Sequence, residues 1–94
     1  MKDIHIHPVN IGRVAAWRDE NSDIEAPEHL FCQLDASYSI EGLPDHLSAG
    51  IKATTLIAGE HAEQPLRSLE RLADEALADV LEAIASELRR RAKS

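Results

Sequence analysis

Hydrophobic and polar positions alternate one by one in the first half of the chain, then switch to a helical period. Residues 3–7 place Ile4 and Ile6 on one side and Asp3, His5 and His7 on the other. A period of two is the signature of a strand with one face buried. Pro8 has no N–H to donate to a ladder, so it predicts an edge strand or a bend. Residues 9–18, VNIGRVAAWR, read two ways. As a strand they align Val9, Ile11, Arg13, Ala15 and Trp17. As a helix they start from Asn10 as a cap. Gly12 and its β-branched neighbours favour the strand. Residues 19–28, DENSDIEAPE, are acidic and rich in turn formers, and predict an exposed loop.

The clearest strand is 29–40. Leu30, Cys32, Leu34, Ala36, Tyr38 and Ile40 share one face, and His29, Phe31, Gln33, Asp35, Ser37 and Ser39 share the other. One apolar face and one wet face fit an antiparallel sheet covered on one side. Residues 41–50 form a connection, with Pro44-Asp45 to start a turn and Gly50 for the reversal. A further strand over 51–58 sets Ile51, Ala53, Thr55 and Ile57 against Lys52, Thr54, Leu56 and Ala58, and Gly59 ends it.

One long helix is predicted over about 64–92. Pro65 suits its first turn, where the missing N–H costs nothing. Glu60 and Glu63 precede it at the positive end of the dipole, and Arg89, Arg90, Arg91 and Lys93 sit at the negative end. Arg71–Glu75 and Glu87–Arg91 are spaced for i,i+4 pairing. At 100° per residue, Leu66, Leu69, Leu72, Ala73, Ala76, Leu77, Val80, Leu81, Ile84 and Leu88 spread over about half the circumference. A helix lying on one sheet needs a stripe only somewhat wider than ~100°. It is also ~43 Å long, against ~33 Å for a ten-residue strand. The helix therefore carries more apolar face than a small sheet can cover. Two solutions exist: a second copy of the chain packed about a two-fold axis, or loop 19–28 and turn 41–50 folded over the excess. The first is the more economical, because Ala73, Ala76 and Ala83 would let a second helix approach closely. Its expected interface is Leu69, Leu72, Ala73, Ala76, Leu77, Val80, Ile84 and Leu88. A long three-stranded sheet also leaves its edges open, and edge pairing between copies is another route to a dimer.

The fold class expected is thus α+β: an antiparallel meander of about three strands (residues 3–58) packed against one long C-terminal helix (64–92), in a single domain spanning 1–94. Composition agrees. The chain is 44% hydrophobic and 29% charged, ordinary values for a globular domain. No apolar run reaches the ~20 residues of a membrane span, and the N-terminus lacks the apolar core of a signal peptide. The one cysteine, Cys32, admits no internal disulfide and fits a reducing compartment. Cytoplasmic residence is the expectation that follows.

Charge narrows the partners. The net charge is −7. Four of the ten basic side chains fall in the last six residues, leaving six against seventeen acids over 1–88, a balance of −11. Such a body repels nucleic acid and anionic membranes, so direct nucleic-acid binding is not expected. The basic tail is accounted for by the helix dipole.

Few residues offer chemistry. His5 and His7 on a strand project from one face and could grip one metal ion, with His29 as a third ligand and Asp3 or Asp35 supplying oxygen. Zinc needs three or four such ligands at ~2.0–2.3 Å. His-x-His supplies two, and the ordinary reading is that both fill the solvent face. Cys32 alternates with Leu30 and Leu34, which makes it a buried structural thiol rather than a nucleophile. Glu60, His61 and Glu63 resemble an acid–base patch, but helix-terminal electrostatics explains the glutamates. His46 reads as an exposed turn residue. Four scattered glycines form no phosphate loop, and no motif calls for a cofactor. The loop acids Asp19, Glu20, Asp23, Glu25 and Glu28, with Asp74, Glu75, Asp79 and Glu82 on the outer helix face, form either a solvated face or an imitation of a phosphate backbone. The functional expectation is a small acidic, homodimeric, non-catalytic interaction or adaptor protein, with Trp17, Asp19, Glu20, Asp23 and Glu25 as partner-binding residues. The alternatives are a small metal-dependent enzyme centred on His5 and His7, and an acidic inhibitor of a nucleic-acid-handling enzyme.

Overall fold

A computed structural model describes residues 1–93. Its elements run β1 (Lys2–Ile6), β2 (Asn10–Val14), β3 (Trp17–Arg18), β4 (Glu25–Ala26), β5 (His29–Ser39), β6 (Ser48–Ala58), a 3₁₀ turn (Gly59–His61) and α1 (Leu66–Ala92). The class is α+β: antiparallel sheets packed against one long C-terminal helix.

β5 is the central strand. β1 and β2 pair end to end along one of its edges, and β6 pairs along the whole of the other. β1 and β2 are therefore one long edge strand interrupted at Pro8, where the N–H needed by the ladder is missing. The ladder resumes on both sides of the break, with His7 N donating to Asp35 O at 3.0 Å and Asn10 opposite Gln33. A second irregularity lies between Lys2 and His5, which face Ser39 and Ser37. One residue too many is accommodated there, and Asp3 takes it up at φ 52, as in a β-bulge.

The ambiguous stretch 9–18 is strand, in two pieces. β2 ends at Val14, and Trp17–Arg18 then pair with Glu25–Ala26 as a separate two-stranded ribbon. The acidic segment is thus the tip of a hairpin rather than a free loop. Its turn is held by Asp19, whose Oδ1 accepts from Asn21 N at 2.9 Å and whose N–H donates to Ile24 O at 2.9 Å. The reversal between β5 and β6 falls at Gly42, with φ +90, and not at Gly50. Gly50 lies inside β6 opposite Ser37, so β6 begins at Ser48, earlier than the alternation at 51–58 implies.

The helix begins at Leu66. Pro65 stands just before it at ψ 150, its carbonyl accepting from Leu69 N at 3.1 Å. No acidic residue lies in the first turn. Glu63 is used elsewhere: Arg13 Nη2 donates to its Oε1 at 3.0 Å, and Arg13 Nε also donates to Glu28. The last turn carries Arg89, Arg90 and Arg91 as expected. Arg71 pairs with Glu75 at 3.7 Å, and Glu87 is engaged by Arg90.

The core is small. Leu30, Cys32 and Leu34 of β5 and Ala73 and Leu77 of α1 are its buried apolar residues, with Val9, Ile11, Ala36, Ala53 and Ile57 packed around the main cluster. The β5–β6 register puts Ile57, Thr55, Ala53 and Ile51 opposite Leu30, Cys32, Leu34 and Ala36. Directly opposed residues share a face, so this is the helix-covered side. Phe31, Gln33, Asp35, Leu56, Thr54 and Lys52 form the other side, which carries no second layer.

Candidate functional site

The histidine strand resolves first. His5 lies opposite Ser37 and His7 beside Asp35, so both imidazoles stand on the uncovered face. Their ring centroids are 4.6 Å apart in an edge-to-face arrangement. His29 is on the same face, but at the far end of β5, six residues from Asp35, or ~20 Å. Its Nδ1–H donates to Pro27 O at 2.9 Å. The proposed third ligand is thus not brought to the pair. Asp35 faces Lys52 at 3.9 Å. Among the described residues no group of three or more His, Cys, Asp or Glu side chains is gathered to hold a metal ion.

Cys32 is fully buried. Burial pushes its thiol pKa up, because the thiolate would lose its hydration. A thiol held neutral at the centre of the core packs as a small hydrophobe. At the other end of the sheet, Gln64 Nε2 donates to His61 Nδ1 at 3.0 Å, and His61 Nε2 lies 3.6 Å from Glu60. This fixes the approach to the helix. His46 is exposed in the β5–β6 turn.

The surface residues separate into two groups. Trp17 is 49% exposed on the ribbon, where a shallow cleft is lined by Ala16, Trp17, Arg18, Glu25, Ala26 and Pro27. Asp19, Glu20, Asp23 and Glu25 are all exposed along the same hairpin, so the five partner-binding candidates occupy one projecting element. Asp74, Glu75, Asp79 and Glu82 are exposed on α1.

The helix residues divide more sharply. Ala73 and Leu77 are buried against the chain's own sheet and are not free for a second helix. Leu69, Leu72, Ala76 and Val80 are half-buried on the flank of that contact. Ile84 and Leu88 are exposed, because the sheet ends before the helix does. On the sheet itself Ile6, opposite Ala36, is 60% exposed, and Ile51, also opposite Ala36, is 46% exposed. Both lie on the helix-covered side but are left largely open by α1, with Ile6 at the rim of a cleft that Glu70 and Asp74 also line. Sequence periodicity located the surplus on the helix but not its counterpart on the sheet, because the surplus at Ile6 and Ile51 depends on where α1 crosses.

The described residues present an exposed acidic hairpin, an uncovered sheet face and an open helix end. No family model, curated protein or solved structure matches this chain. No helix among the described residues is long and apolar enough to cross a membrane.

Proposed function

We propose that this chain is a non-catalytic binding protein that works as a homodimer, with the acidic hairpin as the surface offered to a protein partner. One observation carries the reading: a single copy exposes far more surface than its mass requires. Its accessible area is 7333 Å², whereas a compact monomer of 10.4 kDa exposes roughly 5,400 Å². The radius of gyration is 17.1 Å, against about 12 Å for a compact chain of this length. The surplus is about 1,900 Å² per chain. A standard interface takes about 800 Å² from each partner, and obligate dimers take more. The surplus is also apolar in character, since Ile6, Ile51, Ile84 and Leu88 belong to it.

The hairpin supports the second half of the reading. β3 and β4 lead away from the sheet as a ribbon, with Trp17 at its base and four exposed carboxylates along it. An aromatic anchor with an acidic surround suits a basic protein surface, and aromatic anchors supply much of the energy in such contacts. A dimer presents the hairpin twice, which raises avidity for a repeated or dimeric partner.

The dimer is tested by thermal unfolding over a hundredfold range of protein concentration. A melting temperature that climbs with concentration is the expected result. A constant one contradicts the reading. The hairpin is tested with Trp17→Ala, which should abolish capture of a basic partner while leaving the concentration dependence intact. Capture that survives the substitution would remove the hairpin from the account.

A further inference from the structure

We infer that the two copies join through the free edge of β6, forming one continuous sheet. The inference rests on the homodimer proposed above and assigns its interface.

β6 is an edge strand of eleven residues, SAGIKATTLIA, paired only on its β5 side. Long free edges are templates for a further strand, and proteins that keep them unpaired place charges, prolines or bulges along them. β6 has one charged residue, Lys52, no proline, and an unbroken register with β5 from Ser48 to Ala58. Nothing along it opposes pairing.

The helix path leaves that edge open. Glu63, just before α1, is bonded to Arg13 of β2. Glu70 and Asp74 line a cleft with Ile6, His7, Pro8 and Val9. Further along, Leu77 packs in the cluster centred on β5, and of all the strands α1 makes its broadest contact with β6. The helix therefore rises along the strand direction, from the level of Arg13 to that of Pro8, and its C-terminal end runs on beyond the end of the sheet, so the outer edge of β6 is left open. A second sheet paired to β6 in the antiparallel sense would draw on the roughly 1,900 Å² that each copy exposes beyond a compact chain of its mass.

A two-fold axis at Thr54 fits the side chains. It sets Thr54 opposite its own copy, a favourable cross-strand pair, places Ile51 opposite Ile57, and keeps the two Lys52 ammoniums apart.

The test combines solution mass with residue-resolved amide hydrogen exchange on the whole chain. About half of the β6 amides point away from β5 in an antiparallel ladder. The expected result is a dimer in which these outward amides exchange about 100-fold or more slowly than free ones. Thr54→Lys, at an exposed position, brings two ammoniums face to face on the axis. It should weaken the dimer at least about tenfold and restore fast exchange along that edge. A dimer whose outward β6 amides exchange freely overturns the β6 interface while leaving the dimer standing. A monomer overturns both.

Discussion

Leu77 and Ile84 lie two turns apart on nearly the same line of α1, yet Leu77 is 1% exposed and Ile84 is 49% exposed. Seven residues advance a helix by about two turns and rotate it only ~20°. The difference between the two positions is therefore not which way they face but what lies beneath them. Under Leu77 is β5. Under Ile84 the chain supplies nothing.

This contrast separates two kinds of apolar residue by experiment. Leu77→Ala leaves a cavity between helix and sheet and should cost about 2–5 kcal/mol of folding stability. Ile84→Glu should leave the secondary structure unchanged and weaken self-association at least about tenfold, since it puts a charge into the joint. Circular dichroism and equilibrium sedimentation on the two variants decide the matter. A loss of folded structure in Ile84→Glu at high dilution would mean that the residue belongs to the fold of the single copy.

Cys32 gives the account a pH dependence. Burial raises its thiol pKa, so the fold holds the proton more tightly than the unfolded chain does. The stability this contributes is fully present below the unfolded thiol value of about 8.5 and is lost as pH rises through the higher folded value. The urea midpoint of the wild-type chain should fall more steeply between pH 8 and pH 10 than that of Cys32→Ala. Parallel slopes would show that the thiol does not titrate with unfolding. In the native state the thiol should also resist alkylation until urea opens the core.

Two glycines should respond oppositely to the same substitution. A Cβ at Gly59 would run into the Glu28 carbonyl oxygen. That contact is with backbone, where β6 leaves the sheet, and it cannot be relieved by turning a side chain. Gly59→Ala should cost about 1–3 kcal/mol. At Gly12 a Cβ meets nothing within 4 Å. Gly12→Ala should be neutral or stabilise by up to about 1 kcal/mol through the unfolded chain. Denaturant unfolding of the pair measures both.

The histidine pair carries its own check. With His29 at the far end of β5, His5 and His7 lack the third ligand that a zinc site requires. Excess zinc should move the melting temperature of the wild-type chain and of the His5→Ala/His7→Ala variant by the same amount. A rise in the wild-type chain alone would show that the pair recruits further ligands.

The parts of the fold legible in the sequence are those with a long, regular period. Twelve alternating positions over 29–40 suffice to name the buried face of β5 without reference to a partner strand. The helix stripe placed Ala73 and Leu77 among the apolar positions, and the charge at its end located Arg89 to Arg91. Short or context-dependent features were not legible. The ribbon of Trp17–Arg18 with Glu25–Ala26 has two residues on each side, too few to show a period. Gly42 and Gly50 look alike in composition, and only the strand register shows that the first makes the turn. His29 shares a face with His5 and His7, and periodicity alone makes it their companion. Which end of β5 each occupies is fixed by pairing, and pairing is set by contacts distant in sequence. The surplus of the helix was visible, whereas the division of its apolar residues between own sheet and open surface required the crossing point of α1.

Light scattering over a range of concentrations reads the association state of the whole chain. A homodimer gives a molar mass of about twice the 10.4 kDa chain, falling toward one chain only on dilution or in Ile84→Glu. A mass of 10.4 kDa at every concentration would contradict it, and would mean that the single copy tolerates its open helix end and sheet edge unaided.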